Sequence, residues 1–126
     1  MQVSDKSIKP LTEVKYLNAD NVSRYRCIMR IFFENYEKLR YWLYQEDVYE
    51  QMMADPFWAD YKIEQCQQDL TMLTEWKNLN TIQDTKKVSS IEEFKNKKYR
   101  YQMSEYSVEI ERLVLRLENL LVEGAS

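Results

Sequence analysis

The sequence predicts a mostly helical α+β domain, and two observations lead to this fold class. Three segments carry apolar residues at three- and four-residue spacing, which is typical of helices that pack on a core, and a short aromatic run follows the first of them. Two strand-like segments then bracket a long polar connection, and a fourth amphipathic segment ends the chain. The order helix, strand, helix, helix, strand, wing, strand, helix is that of a winged helix-turn-helix domain with a long wing and an extra C-terminal helix.

The first helix is predicted from about Asn21 to Leu39. Residues 1–19 contain Pro10 and scattered polar residues, so we expect an extended N-terminal arm there. Asp20 or Asn21 can cap the helix with a side-chain oxygen. The predicted apolar face comprises Val22, Tyr25, Met29, Phe32, Phe33, Tyr36 and Leu39. Cys27 and Ile31 form a smaller apolar patch on the opposite side, which contacts either another element of the domain or a partner.

The next elements are a short strand and two helices. Tyr41–Tyr44 is aromatic and strand-like, and Glu46–Met53 is predicted as a helix that ends before Pro56. The third helix is expected from Asp60 or Tyr61 to Lys77. Its predicted buried stripe is Ile63, Cys66, Leu70, Leu73 and Trp76.

The strands of the wing come next. A strand is predicted around Leu79–Ile82, and its partner is predicted at Tyr99–Met103. The connection holds no glycine, so a wide wing is favoured over a tight turn. Residues 20–103 are thus expected to form the winged-helix domain.

The last helix is predicted to begin at Ser104 or Glu105, and residues 104–126 are expected to lead to further domains absent from this chain. Its expected buried stripe is Ile110, Leu113, Val114, Leu117, Leu120 and Leu121. Val108, Leu115 and Val122 recur every seven residues away from that stripe, and a helix that is apolar on two sides must bury both. A partner chain, a second copy, downstream sequence or the N-terminal arm would cover them. Together with Cys27 and Ile31, they are the candidate partner interface.

The composition excludes several kinds of chemistry. Histidine is absent, so acid–base catalysis, nucleophile pairs and metal sites that use it are excluded. The single glycine, Gly124, excludes a glycine-rich phosphate loop. Cys27 and Cys66 lack metal-motif spacing. We therefore expect no enzyme activity, no catalytic residues, no cofactor and no bound metal. No apolar run is long enough to span a membrane and no signal peptide is visible, so a cytoplasmic location is expected.

Basic residues are concentrated in the wing. The net charge is −3, but Thr85–Arg100 holds six basic residues against two acidic ones, a local charge of +4. The candidate contacts to the DNA backbone are Lys86, Lys87, Lys95, Lys97, Lys98 and Arg100. The third helix has no arginine, and its predicted exposed face carries two lysines against three carboxylates, which argues against sequence-specific reading of DNA. These residues are Lys62, Glu64, Asp69, Glu75 and Lys77. The wing either makes weak, non-specific phosphate contacts or is a solvated loop.

Several motifs carry a family resemblance. They are Tyr16–Asn21, Tyr25-Arg26-x-Ile28-Met29-Arg30, Trp76-x-Asn78-Leu79, Asp84-Thr85, Glu92-Glu93-Phe94 and Tyr101-Gln102. In this order, over residues 14–121, they resemble the N-terminal region of the JetA-type subunit of one class of Wadjet bacterial anti-plasmid systems. The resemblance implies a kleisin-like, non-catalytic subunit of an SMC-type complex.

The partners that the resemblance implies are an SMC-like ATPase, a small winged-helix subunit and a nuclease subunit that cuts closed circular DNA. The resemblance also implies that subunits of this type are longer than this chain, and that their N-terminal regions contact other proteins and can form homodimers. The alternative hypothesis is a winged-helix DNA-binding regulator that contacts phosphates through its basic wing. Binding to short duplex DNA with a steep salt dependence would distinguish it.

Overall fold

A computed structural model of the chain describes residues 2–83 and 99–124, with side chains as far as residue 120. Five α-helices and three strands lie within these residues, together with 3₁₀ helices at Thr12–Leu17 and Pro56–Trp58. The helices are α1 (Asp5–Ile8), α2 (Val22–Glu37), α3 (Gln45–Met53), α4 (Ile63–Glu75) and α5 (Glu105–Gly124), and the strands are β1 (Trp42–Tyr44), β2 (Leu79–Gln83) and β3 (Tyr99–Met103). The predicted α+β, mostly helical fold is confirmed, and it is compatible with a winged helix.

The sheet is antiparallel, with β3 between β1 and β2. Leu43 of β1 and Thr81 of β2 both lie opposite Tyr101 of β3. Because side chains alternate between the faces of a strand, Leu43 and Tyr101 turn to the core while Trp42 and Arg100 belong to the outer face. The predicted strands are therefore confirmed, whereas the wing lysines Lys86, Lys87, Lys95, Lys97 and Lys98 lie outside the described residues.

Helix α2 is central to the core. Its buried side chains Ile28, Met29 and Phe32 belong to one apolar cluster with residues of α3, α4 and the sheet. Ile28 was not part of the predicted apolar face. The α4 stripe is as predicted at Cys66, Leu70 and Leu73, which are buried, and Trp76 makes an edge-to-face contact with Tyr25 at a ring distance of 5.1 Å.

The predicted ends of α2 need two corrections. Leu39 is exposed and has a φ of 68°, so the helix ends before it. The Leu39 amide donates to the Tyr36 carbonyl and the Arg40 amide to the Asn35 carbonyl, a left-handed C-terminal cap that the apolar spacing concealed. At the other end, Asn21 occupies the cap position with a φ of 61°, but its side chain makes no capping hydrogen bond.

The N-terminal arm is not extended as predicted. It contains α1 and a 3₁₀ helix, and Tyr16 in that helix is fully buried. The Tyr16 hydroxyl donates to Glu111 at 2.5 Å, and the Asn78 amide donates to the Glu13 carbonyl at 2.7 Å. These anchors lie 95 and 65 residues away along the chain, so local composition could not show them.

The prediction of which α5 residues face the core is also wrong for most of them. Leu113, Leu117 and Leu120 are exposed by 52%, 49% and 60%, whereas Val108 is buried and Leu115 packs against the core. Val114 alone of the six predicted stripe residues is buried among those described. Ile110 is half-buried, the side chain of Leu121 lies outside the described residues, and so does that of Val122 in the opposite seam.

The proposed interface residues are therefore largely used within the domain. Val108 and Leu115 pack against the core, and Cys27 and Ile31 are half-buried against it as well. For Cys27 and Ile31 the first of the two predicted alternatives, a contact within the domain, is observed. Ionic contacts of Glu111 and Glu118 with α2 hold α5 in this orientation.

Candidate interaction surface

A buried ionic cluster joins α2 to α4, and we call it the Asp69 cluster. The Asp69 carboxylate is 1% exposed and accepts two hydrogen bonds from Arg24, from Nε at 3.0 Å and from Nη2 at 2.8 Å. The Tyr61 hydroxyl donates to the same carboxylate at 2.7 Å. Burial and this hydrogen bond raise the pKa of Tyr61. Asp69 was predicted on the exposed face of its helix, and its charge is instead neutralised inside the fold.

A second cluster, the Glu111 cluster, joins α5 to α2 and to the N-terminal 3₁₀ helix. Glu111 is also 1% exposed, and it accepts from the Tyr16 hydroxyl at 2.5 Å and from Arg30 Nε at 2.9 Å. Arg30 also donates to Glu118 at 3.0 and 3.1 Å, and Arg26 donates to Glu118 at 2.7 Å. The hydrogen bond from Arg30 lowers the pKa of Glu118, and burial raises that of Tyr16.

The Glu111 cluster determines which side of α5 faces solvent. Glu111 and Glu118 are seven residues apart, so they lie on one side of the helix, and both bind arginines of α2. The outward side then carries an apolar strip, which we call the α5 strip. It consists of Tyr106, Ile110, Leu113, Leu117 and Leu120.

The α5 strip has the spacing of a coiled-coil seam. Its members follow one another at intervals of four, three, four and three residues, which is the a/d pattern of heptad repeats. The strip spans about four turns, or roughly 21 Å at 1.5 Å per residue. Tyr106, Leu113, Leu117 and Leu120 are exposed and Ile110 is half-buried, so the strip is available to a partner.

A groove adjoins the N-terminal end of the α5 strip. It has a volume of about 390 Å³ and is lined by Leu11, Glu13, Val14, Glu105, Tyr106, Glu109 and Ile110. The floor is apolar and is shared with the strip through Tyr106 and Ile110. Three of the lining residues are acidic: Glu13, Glu105 and Glu109. The ammonium of Lys9 lies beside it, 5.8 Å from the centre of the Tyr106 ring.

The candidate DNA contacts are not brought together by the described residues. Arg100 lies on β3, where its guanidinium stands over the Trp42 ring at 5.0 Å from the ring centre. The other five candidates lie outside the described residues. On α4, Glu64, Gln67 and Gln68 are exposed, while Arg24 of α2 pairs with the buried Asp69.

Burial raises the pKa of the Cys66 thiol to about 12, which leaves it unreactive near neutral pH. Among residues 2–83 and 99–124, no three or more Cys, Asp or Glu side chains are grouped so that they could hold a metal ion. No helix in this part of the chain combines the length and the apolar character needed to cross a bilayer.

Comparison with known proteins assigns the family. No curated protein matches the chain, and no solved structure matches it. A family model described as Protein of unknown function (DUF2397) matches residues 14–126, which is nearly the whole chain. That match begins within the 3₁₀ helix that holds Tyr16 and continues through α5, so it includes both ionic clusters and the α5 strip. The chain is therefore a member of the DUF2397 family.

Proposed function

We propose that the chain is a non-catalytic protein-interaction module that binds a partner helix along the α5 strip. The observation that carries the proposal is the exposure of apolar residues at heptad spacing on the outward side of α5. Contiguous apolar patches on soluble proteins commonly mark binding sites. Burial of such a strip is favourable by roughly 25 cal/mol per Å² of apolar surface, and a/d spacing suits another helix as the partner.

We further propose the setting in which this module acts. The motifs at Tyr16–Asn21 and Tyr25–Arg30 resemble the JetA-type kleisin-like subunit of Wadjet systems, which suggests a cytoplasmic SMC-type anti-plasmid defence complex. The partners would be the SMC-like ATPase, the small winged-helix subunit and the nuclease subunit. The motif residues Tyr16, Arg26 and Arg30 all belong to the Glu111 cluster that turns the α5 strip outward.

The test is co-purification of the full chain with each of the three proposed subunits. The double variant Leu113→Ser/Leu117→Ser removes two central strip residues, and it should lose the partner because the apolar contact is lost. The matched control is Leu39→Ser/Phe57→Ser, which replaces two exposed apolar residues on other elements. It should retain the partner. Equal retention by both variants, with unchanged circular dichroism, would show that the strip is not the binding surface.

The second candidate function is DNA binding by a winged-helix regulator, and the observation that favours it is the charge of +4 within Thr85–Arg100. Binding should be weak, without sequence preference and steeply reduced by salt, because phosphate contacts release counterions. Replacement of Lys86, Lys87, Lys95, Lys97 and Lys98 with Gln should abolish any binding to duplex DNA. Tight sequence-specific binding that survives these changes would instead assign DNA reading to α4.

A further inference from the structure

We infer that the groove beside the α5 strip selects a cationic amphipathic helix, one that carries Lys or Arg next to its apolar seam at the end lying over Glu13, Glu105 and Glu109. This inference rests on the proposed function, because it concerns the partner of the same surface. The strip determines that the partner is apolar along one side. The groove adds a requirement for the charge of that partner and for its direction along α5.

The charge of the groove comes from separate elements. Glu13 belongs to the N-terminal 3₁₀ helix, while Glu105 and Glu109 lie on the first two turns of α5. Within the described part of the chain, the side chains of Glu13 and Glu105 form no ion pair, and Glu109 pairs only with Arg112 at 2.5 Å. That pair is exposed on both sides, so it contributes little and is readily exchanged for another cation.

The apolar floor explains why the ligand is amphipathic rather than merely basic. Leu11 is exposed, Val14 and Ile110 are half-buried, and the Tyr106 ring continues the surface toward Leu113. An apolar side chain that enters the groove would place the residues flanking it within reach of the three carboxylates. Those flanking residues are favoured if they are Lys or Arg, because opposite charges across an interface attract and like charges are excluded.

A second copy of this chain fits the groove poorly in either orientation. Parallel pairing of two α5 helices would place Glu105 and Glu109 against the same residues of the other copy. Antiparallel pairing would place them against the C-terminal half of α5, whose single basic residue is Arg116, so the groove would gain one cation for three glutamates. Parallel pairing opposes carboxylates to carboxylates and antiparallel pairing supplies one arginine, so we assign the groove to a different chain that is more basic.

The experiment uses the full chain and two synthetic helical peptides of about three heptads, with leucine at a and d. The peptides differ only in having lysine or glutamate at the e and g positions. Binding is measured by fluorescence anisotropy at low and at high salt. The lysine peptide should bind about tenfold more tightly than the glutamate peptide at low salt, and the difference should shrink as salt screens the charges.

Variants assign this preference to the groove. Glu13→Gln/Glu105→Gln/Glu109→Gln should reduce the preference for the lysine peptide to about twofold or less, because the attraction between charges is removed. The control replaces three exposed carboxylates on α3 and α4, as Glu50→Gln/Glu64→Gln/Glu75→Gln, and should keep the preference. Thermal unfolding of each variant shows whether the fold is intact.

Three results would overturn the inference, and they are distinguishable from failure of the proposed function. Equal binding of both peptides, or a preference unchanged by the groove variant, contradicts the charge selection while leaving the strip as a binding surface. A dimer of the chain alone that Leu113→Ser/Leu117→Ser converts to a monomer would make a second copy the occupant. Binding of both peptides that is insensitive to Leu113→Ser/Leu117→Ser would instead refute the proposed function itself.

Discussion

The Asp69 cluster and the Glu111 cluster contain the same types of side chain but differ in their exposure to solvent. Each has a carboxylate that is almost fully buried, an arginine from α2 and a tyrosine hydroxyl. The two triads are Arg24–Asp69–Tyr61 and Arg30–Glu111–Tyr16. Because burying a charge is costly unless it is paired, each triad fixes the relative position of the helices that it joins.

The clusters differ in how their arginines are shared. Among the described residues, Arg24 binds one carboxylate, in a two-point contact with Asp69. Arg30 divides its donors between Glu111 and Glu118, and the side chain of Glu118 is 37% exposed. The Asp69 cluster is thus closed and joins helices of the winged-helix core. The Glu111 cluster opens to solvent and orients α5, which makes it the contact that exposes the α5 strip.

The largest effect is expected for Asp69→Ala. It should lower the free energy of unfolding by about 3–5 kcal/mol, because it leaves the Arg24 charge and the Tyr61 hydroxyl without their carboxylate. Chemical denaturation measures the change. Asp60→Ala, at an exposed position nearby, is the control and should change stability by less than about 0.5 kcal/mol. A loss of stability no larger than that caused by Glu111→Ala would contradict the expectation that the Asp69 cluster contributes more to stability than the Glu111 cluster.

Glu111→Ala should cost less, about 1–3 kcal/mol, because Arg30 keeps Glu118 while the Tyr16 hydroxyl loses its acceptor. Tyr16→Phe alone should cost about 1 kcal/mol. The double variant should cost less than the sum of the two, since both remove the same hydrogen bond. Chemical denaturation of all three variants completes the cycle. Strict additivity would mean that the hydroxyl and the carboxylate are not coupled.

A smaller effect is expected from pH. The pKa of Glu118 is lowered by its hydrogen bond to Arg30, so its contribution is fully present above the ordinary glutamate pKa, about 4.3. That contribution should be lost as pH falls from about 4.3 through the lower pKa of the folded state. The midpoint temperature of thermal unfolding should therefore fall less steeply between pH 7 and pH 3 for Glu118→Gln than for the parent chain. The exposed control Glu64→Gln should retain the parent slope, and equal slopes for the parent and Glu118→Gln would disprove the linkage.

The smallest effect concerns the two thiols, which lie near different clusters. Cys66 is fully buried, and its pKa is raised to about 12 by burial although the Tyr61 hydroxyl opposes that rise. Cys27 is half-buried on the α2 turn that carries Arg26 and Arg30. At pH about 8, a thiol reagent should modify Cys27 before Cys66, because reactivity follows exposure and thiolate content. Loss of the faster phase in Cys27→Ser would assign that phase to Cys27. Similar rates for both thiols would show that the structure around the Asp69 cluster opens as readily as that around the Glu111 cluster.

Local patterns in the sequence were sufficient for the order of the α-helices and strands from α2 onward, whereas α1 and the 3₁₀ helices were missed. Apolar residues at three- and four-residue spacing predicted two of the helices. They are Met29 and Phe32 for α2, and Cys66, Leu70 and Leu73 for α4, and all of them are buried. The alternating residues Tyr99–Met103 predicted β3. These predictions succeeded because the period of an amphipathic helix or strand depends only on neighbouring residues.

The candidate surface was only partly visible in the sequence. Four residues of the α5 strip, Ile110, Leu113, Leu117 and Leu120, were recognised as one apolar stripe but were predicted to face inward. A paired signal was present, since Glu111 and Glu118 share one side of α5 while Arg26 and Arg30 lie one turn apart on α2. Prediction of the buried face from apolar spacing cannot use these ion pairs, because it assigns every carboxylate to the solvent side.

What the sequence by itself determined is therefore the α-helices and strands from α2 to α5 within the described residues, their order and most of the apolar faces of α2 and α4. Tertiary structure alone decided three things: the folding of the arm around Tyr16, the burial of Asp69 and Glu111, and the side of α5 that faces solvent. The reason is physical. A carboxylate is costly to bury unless it is paired and hydrogen-bonded, and here its arginine and tyrosine partners come from 8 to 95 residues away along the chain.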